Sequence, residues 1–342
     1  MNMDDRNQSW VLVGIGGTGN RIMLEALKDM PGRVLGLALD TDVEGLQRLE
    51  IPSELADRVE TVATTIPRWT RERVRPGEYD DYAALRAYQR QDRPFLADRA
   101  GAEGRHESVM ALLDSESRGE ISSALRRAVY KVGVSDGNAR GTTVGIVTIA
   151  FGGRGTGAGM LPTVGPIIRR VQDLVSGDVD TRSVAVVQQP TLLRSEYGEL
   201  QRRFIVLAAE LSAEEEGKGI SILPGYQSRG RSAFDDIVVV GNGTGWESRP
   251  RGFEPDEAEV VKHTAAIVRE RCSGRIHGYL QAEEVRRREL VATCDHGTNL
   301  PRLFTSAGAA ELLLETDEAT NYGAKWLEHS LYQLIAGTTS RA

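Results

Sequence analysis

The sequence predicts an α/β fold: a doubly wound, mostly parallel sheet with helices on both faces. Apolar runs without polar alternation, typical of buried parallel strands, occur at residues 11–15, 34–39, 144–150, 184–187 and 237–240. Helical patterns separate these runs, as in a doubly wound domain. Two glycine-rich segments, 14–20 and 152–159, each stand where a strand-like run passes into a helix. Glycine at such a junction permits positive φ and a close approach of the backbone to a ligand.

The first part of the chain alternates strands and helices. The run at 11–15 predicts the first strand, and the apolar face of 22–27 predicts a helix that a Pro-Gly pair ends. The run at 34–39 predicts the second strand. Residues 51–104 are polar and rich in arginine, with four prolines, so we expect short helices and long loops over the sheet edge.

The rest of the chain repeats this alternation. Residues 121–132 predict an amphipathic helix, and 143–175 predict a strand, a glycine loop and a helix. The pattern then predicts a strand at 184–187, a helix at 199–211, a strand at 237–240, a long helix at 256–271 and a last helix at 324–335.

Composition argues against several classes of protein. The 342 residues carry a net charge of −7 and include two cysteines, so the sequence offers neither a basic field for nucleic acid nor a disulfide framework. No apolar stretch approaches the ~20 residues that cross a bilayer, and the first residues lack the pattern of a signal peptide. We therefore expect a cytoplasmic protein without nucleic-acid binding or direct membrane insertion.

The first glycine segment matches a dinucleotide-binding fingerprint. Gly14, Gly16 and Gly19 stand at G-x-G-x-x-G spacing. Asp40 ends the next strand, where an acid binds the ribose in Rossmann enzymes, so an NAD-binding Rossmann oxidoreductase is one interpretation. The second glycine segment favours another, because two helix N-termini facing one crevice suit a polyphosphate held from two sides. The sequence contains no G-x-x-x-x-G-K-[ST], which excludes a P-loop.

Three segments, in order, resemble the tubulin/FtsZ superfamily. They are the first glycine segment, the Asp-Thr-Asp turn at 40–42, and residues 151–158, which are similar to the family's G-G-G-T-G-[ST]-G signature. The resemblance implies a Rossmann-like GTPase domain at 1–254, a long central helix at 255–275 and a reduced second domain at 276–342. It also implies GTP or GDP as the ligand, with Mg²⁺ accompanying the nucleotide.

Weaker matches extend the implied nucleotide site. Gly104 lies in a segment similar to the family's intervening phosphate loop. Glu199 and Arg203 match residues on the ribose side and share one helix face, although a plain surface ion pair is the alternative. Asn242 and Asp256 match the residues that contact guanine. Together, the implied nucleotide-binding residues are Gly16, Gly17, Thr18, Asn20, Asp40, Asp42, Gly104, Gly153, Arg154, Gly155, Thr156, Gly157, Glu199, Arg203, Asn242 and Asp256.

Departures from the family pattern bear on this site. Arg154 replaces a Thr of the signature, and we expect its guanidinium to contact phosphate; the alternative is that it fills the place of a metal or phosphate oxygen. Asp40 replaces an Asn, which is tolerable if Asp40 or Asp42 faces Mg²⁺. Glu257 and Glu259 are alternatives for the guanine-contacting acid, because the register of that helix is not fixed by the sequence.

The segment implied in hydrolysis matches the family least. In the family, acids after the central helix complete the active site of the next subunit and polarise the attacking water. Here the candidate catalytic residues are Gln281 and Glu284, with Glu283 as an alternative to Glu284, and a solvated helix start is the competing interpretation.

The resemblance implies a GTP-binding, cytoskeletal GTPase that polymerises head to tail and acts on an unidentified protein partner. Two alternatives stay open: the NAD-binding oxidoreductase, and a GTP-bound scaffold on the same fold that does not hydrolyse nucleotide.

Overall fold

The structure is a computed structural model that describes residues 9–31, 33–64, 115–133, 143–189, 200, 203–208, 210–211, 234–241, 257–273 and 304–307. All of these residues belong to one compact unit, Met1–Gly308. The strands are β1 (Ser9–Ile15), β2 (Val34–Asp40), β3 (Val59–Ala63), β4 (Thr143–Phe151), β5 (Asp180–Gln188), β6 (Asp236–Val240) and β7 (Phe304–Ala307). The helices are α1 (Gly16–Lys28), α2 (Val43–Gln47), α3 (Ser115–Gly133), α4 (Gly155–Val175) and α5 (Glu257–Cys272), with a 3₁₀ turn at Ser53–Arg58.

The strands form one parallel sheet in the order β3-β2-β1-β4-β5-β6-β7. The chain builds outward from β1 to β3 and then returns to the other side of β1 with β4, so the strand order reverses between β1 and β4. Ile15 pairs with Leu39 of β2 and with Ala150 of β4, which aligns the carboxyl ends of the three strands. The predicted α/β fold with a parallel sheet is confirmed, and the reversal marks the place where such sheets bind ligands.

Helices cover both faces of this sheet. The side chains of alternate residues in β1 and β2 pack with α3 and α4 in one apolar cluster. Gly36 points the other way, since a Cβ atom there would lie 2.7 Å from Leu27 and 3.1 Å from Met23 of α1. Because neighbouring residues of a strand face opposite sides, α1 lies on the face opposite α3 and α4. Helix α5 packs against α1 on that face.

Helix α4 forms although its sequence disfavours a helix. It contains Pro162 and Pro166 within its 21 residues, as well as four glycines. A proline inside a helix costs about 3 kcal/mol and a glycine about 1 kcal/mol relative to alanine. Fifteen of the 21 residues are buried, so packing against the sheet and α3 stabilises this helix.

Residues 51–64 differ from the sequence-based prediction of loops and short helices. They form the 3₁₀ turn and the edge strand β3, which pairs with β2. The Arg58 side chain stabilises this arrangement by donating to the carbonyl of Pro31 (2.8 Å) and to that of Val34 (3.1 Å). Among the helices of the described ranges, none is both long and apolar enough to span a membrane.

Candidate functional site

The first glycine loop joins β1 to α1 at the carboxyl edge of the sheet. Gly16 has a φ of +74°, a conformation that favours glycine, and it begins α1. Gly19 packs directly on β4, because a Cβ atom there would lie 2.6 Å from the carbonyl oxygen of Ile149. Gly17 is exposed, and no atom of the described residues lies within 4 Å of the place where its Cβ atom would be. The loop therefore has one face fixed to the sheet and one face open.

The second glycine loop joins β4 to α4 at the same edge. Arg154 is the N-cap residue of α4, in extended conformation, and Gly155 is the first helical residue. Gly157 lies close to the end of β4, since a Cβ atom there would lie 2.5 Å from the carbonyl oxygen of Phe151. The amide groups of a first helical turn have no partner within the helix and carry partial positive charge. The amino end of α4 is thus suited to binding an anion.

The two loops meet. A Cβ atom at Gly16 would lie 3.2 Å from Thr156 Cβ and 3.3 Å from the backbone nitrogen of Gly157. They follow β1 and β4, the two strands that flank the reversal of strand order. Helices α1 and α4 lie on opposite faces of the sheet, yet their amino ends are neighbours. The two glycine segments therefore lie against each other at one edge of the sheet.

The Asp-Thr-Asp turn after β2 joins the second loop. The hydroxyl groups of Thr41 and Thr156 are 2.9 Å apart and hydrogen bonded. Asp40 is 5 % exposed, and its Oδ1 accepts from the Asp42 amide at 3.1 Å. Burial raises the pKa of Asp40, and the hydrogen bonds to its carboxylate only partly offset this. Asp42 Oδ1 accepts from the Gly45 amide at 2.9 Å and so caps α2.

Asn20 lies beneath the first loop rather than on its open face. It is 1 % exposed, and its Nδ2 donates to the carbonyl of Leu39 at 3.2 Å. A Cβ atom at Gly14 would lie 2.6 Å from its Oδ1, which has no hydrogen-bond partner among the described residues. A buried acceptor without a donor is costly. A hydrogen-bond donor from outside the described residues, such as a water molecule, would therefore stabilise this oxygen.

The amino ends of α1 and α5 are joined by side chains. Glu257 Oε1 accepts from Thr18 Oγ1 at 3.2 Å and from Arg21 Nη2 at 2.5 Å. An open groove of about 850 Å³ is lined by α1, including Gly17 and Leu24, by residues of the segment 45–52, and by the first turns of α5. Sequence reasoning named Glu257 as an alternative acid but missed Arg21. The signal available was that Arg21 directly follows the glycine segment.

The described carboxylates do not form a site for a protein-bound Mg²⁺ ion. One oxygen of Asp42 already caps α2, and Asp40 is buried. Within the described ranges, no three His, Cys, Asp or Glu side chains lie together in a group that could hold a metal ion. The glycine loops offer amide donors instead, which suit an anion.

Several residues of the predicted site lie outside the described residues. Arg203 is described: it is partly buried and begins the helical stretch 203–208. The sequence assigns no role to Thr41, the central residue of the Asp-Thr-Asp turn. Its hydrogen bond with Thr156 makes Thr41 part of the candidate site. The residues outside the described part are Gly104, Glu199, Asn242, Asp256, Gln281, Glu283 and Glu284.

Comparison with solved structures shows what this chain is similar to. A GTPγS-bound protofilament of CetZ2 from Haloferax volcanii is 15% identical, with a TM-score of 0.45 over 78% of this chain and 58% of that one. An FtsZ dimer from M. jannaschii is 16% identical, with a TM-score of 0.42 over 80% and 54%. TubZ of Clostridium botulinum phage c-st is 12% identical, with a TM-score of 0.39 over 78% and 59%. These are tubulin/FtsZ-family structures.

The present chain spans a little over half the length of those structures. No family model matches the sequence. No curated protein matches it either.

Proposed function

We propose that this chain is a divergent tubulin/FtsZ-like protein that binds GTP or GDP at the carboxyl edge of its sheet. The observation that carries the proposal is the contact between the two glycine loops, 3.2 Å from a Cβ position at Gly16 to Thr156 Cβ. Each loop begins a helix, so two sets of free amide groups face one place from opposite sides of the sheet. A chain of phosphates fits between them because neighbouring phosphates can each take one helix end.

The open face of the first loop suggests where the nucleoside goes. Gly17 is exposed and lines the groove formed by α1, the segment 45–52 and α5. We propose that the ribose and base extend into this groove, with Glu257, or Asp256 beside it, accepting from guanine. Guanine presents two adjacent N–H donors to a carboxylate, whereas adenine does not. Asn242, Glu199, Arg203 and Gly104 keep the roles that the sequence resemblance implies.

Self-association and hydrolysis are part of the same proposal. We propose head-to-tail assembly in the cytoplasm, with Gln281 and Glu284 of one subunit completing the site of the next. The division into 1–254, 255–275 and 276–342 belongs with this proposal. Mg²⁺ would accompany the nucleotide, and Asp42 would be the candidate protein contact for it.

The test is to identify the nucleotide that the protein binds and to block the loop. Gly17→Trp places a large side chain on the open face, because within the described part of the chain nothing lies within 4 Å of that Cβ position. Gly119→Trp in α3 is the matched control, since its Cβ position is equally open. Nucleotide released by denaturing each protein is identified by mass spectrometry, and GTP binding is measured by calorimetry.

We expect guanine nucleotide in the wild type and in Gly119→Trp, and a loss of GTP affinity in Gly17→Trp. Full GTP affinity in Gly17→Trp, with unchanged far-ultraviolet circular dichroism, contradicts the proposed placement.

The strand order favours one second candidate, an NAD-binding oxidoreductase. The order β3-β2-β1-β4-β5-β6 is that of dinucleotide-binding domains. The position of Asp40 argues against an NAD-binding oxidoreductase. Its carboxylate is buried and accepts a hydrogen bond from its own turn instead of facing an open ribose site. Tighter binding of NAD than of GTP by the same calorimetry decides for the oxidoreductase. Phosphate release that stays at background at high protein concentration decides for a scaffold that does not hydrolyse GTP.

A further inference from the structure

One carboxylate joins the amino ends of two helices in the groove that the first glycine loop lines. Glu257, the first residue of α5, accepts through Oε1 from Thr18 Oγ1 at 3.2 Å and from Arg21 Nη2 at 2.5 Å. Both donors belong to the first two turns of α1. Among the described residues, Glu257 Oε2 and the other N–H groups of Arg21 form no hydrogen bond. The ion pair therefore offers an open acceptor next to open donors, and it does not have to break to bind a ligand.

The surroundings of this ion pair are those of a ligand site. The Arg21 side chain is 47 % exposed and that of Glu257 is 44 % exposed, and ion pairs between such exposed side chains contribute little to stability. Both side chains line the groove together with Gly17. Ligand sites commonly combine apolar walls with a few polar groups that fix orientation. The apolar residues of the groove, which can cover the faces of a flat ring, are Leu24, Leu49, Ile51, Pro52, Ala258 and Val261.

We propose that Arg21 and Glu257 together read the edge of a 6-oxopurine base in this groove. Arg21 donates to O6, and Glu257 accepts through Oε2 from N1–H and from the 2-amino group. The proposal rests on the proposed function and adds Arg21 as a residue that determines specificity.

The chemistry of the two purines explains the expected preference. Guanine carries an acceptor at O6 beside donors at N1 and on the 2-amino group, so its edge is complementary to a guanidinium beside a carboxylate. Adenine carries an amino group in place of O6 and an unprotonated N1. Adenine would therefore place a donor against Arg21 and an acceptor against Glu257. A site that leaves its polar groups unpaired in this way rejects the wrong base.

The test measures which group of the base each side chain contacts. GTP, ITP, ATP and the triphosphate of 2,6-diaminopurine riboside are titrated calorimetrically into wild type, Arg21→Ala and Glu257→Gln. ITP keeps O6 but lacks the 2-amino group, whereas the diaminopurine nucleotide keeps the 2-amino group but lacks O6. Arg126→Ala is the control, because Arg126 is an exposed arginine of α3, on the opposite face of the sheet from the groove. Urea unfolding of each variant without nucleotide shows whether a loss of binding reflects a loss of folding.

We expect wild type and Arg126→Ala to bind GTP more tightly than ITP, and ITP more tightly than ATP. Arg21→Ala should lose about tenfold or more in affinity for both GTP and ITP, which is what one charge-assisted hydrogen bond contributes. It should bind the diaminopurine nucleotide at least as tightly as wild type does, because no contact to O6 is lost. Glu257→Gln should narrow the preference for GTP over ITP.

Two results would overturn the role of Arg21 while leaving the proposed function intact. One is an Arg21→Ala protein that binds GTP and ITP like wild type. The other is an Arg21→Ala protein that loses affinity for the diaminopurine nucleotide as much as for GTP, since Arg21 would then only hold Glu257 in place. Wild type that binds ATP as tightly as GTP, or that binds none of the nucleotides, overturns both proposals.

Discussion

Replacing Gly16 by alanine tests whether the first glycine loop needs its left-handed conformation. An L-residue at a φ of +74° costs roughly 1–2 kcal/mol, and the new Cβ atom would press on Thr156 Cβ at 3.2 Å and on the Gly157 nitrogen at 3.3 Å. Against this, alanine restricts the unfolded chain and returns about 0.4–1 kcal/mol. The net expectation for Gly16→Ala is a loss of about 1–2 kcal/mol in the free energy of unfolding.

Gly17→Ala is the matched control in the same loop. Gly17 is helical, its φ is not positive, and its Cβ position is open. Alanine there should raise the free energy of unfolding by about 0.5–1 kcal/mol. The two variants should therefore differ by about 1.5–3 kcal/mol.

Both variants are measured by urea unfolding, followed by far-ultraviolet circular dichroism, in protein stripped of nucleotide. Nucleotide must be absent because a ligand that binds the folded state adds its own stabilisation. If Gly16→Ala and Gly17→Ala unfold at the same urea concentration with equal slopes, the described loop conformation is wrong. The reasoning about the meeting of the two loops then fails with it.

Three further predictions concern buried groups. Burial raises the pKa of Asp40, so the folded state holds this proton more tightly than the unfolded state, and the free energy of unfolding falls as pH rises past the usual carboxyl range. In urea unfolding, Asp40→Asn should therefore be more stable than wild type at about pH 7 but not below about pH 4. A stability difference that does not depend on pH contradicts this prediction. Arg271 and Asp236 form a buried ion pair. Arg271→Met should therefore lower the free energy of unfolding by about 3–5 kcal/mol, and Arg271→Met combined with Asp236→Leu should recover most of that loss. A double-mutant cycle without coupling between the two positions refutes the pairing. Burial also raises the pKa of the Cys272 thiol. In a Cys294→Ser background, where Cys272 is the remaining cysteine, a thiol reagent should label Cys272 only after the protein unfolds. Rapid labelling of the folded protein would show that the thiol is accessible.

The buried strands could be predicted because their sequences carry the signal themselves. β1, β2 and β4 are apolar along almost their whole length, which is typical of buried parallel strands. β3 could not be predicted in this way. Only one of its five residues is buried, and its position depends on Arg58 reaching carbonyls more than twenty residues earlier. A local pattern contains no information about such a partner.

The candidate site was predictable to the same extent. Glycine segments at strand-to-helix junctions identified both loops, since few sequences tolerate glycine there without a backbone reason. The hydrogen bond between Thr41 and Thr156 joins residues 115 positions apart, so the sequence could not show it. The contact of Glu257 with Arg21 joins residues even farther apart in the chain. Sequence reasoning therefore found the loops but not the side chains that join them.

The composition of α4 has a consequence for the order in which the protein folds. A helix with two internal prolines and several glycines gains little from its own backbone, so it forms only when β4, β5 and α3 are present to bury it. The second glycine loop takes its shape from the first turn of α4. We therefore expect the second glycine loop to take its final shape only after the chain has been assembled through β5.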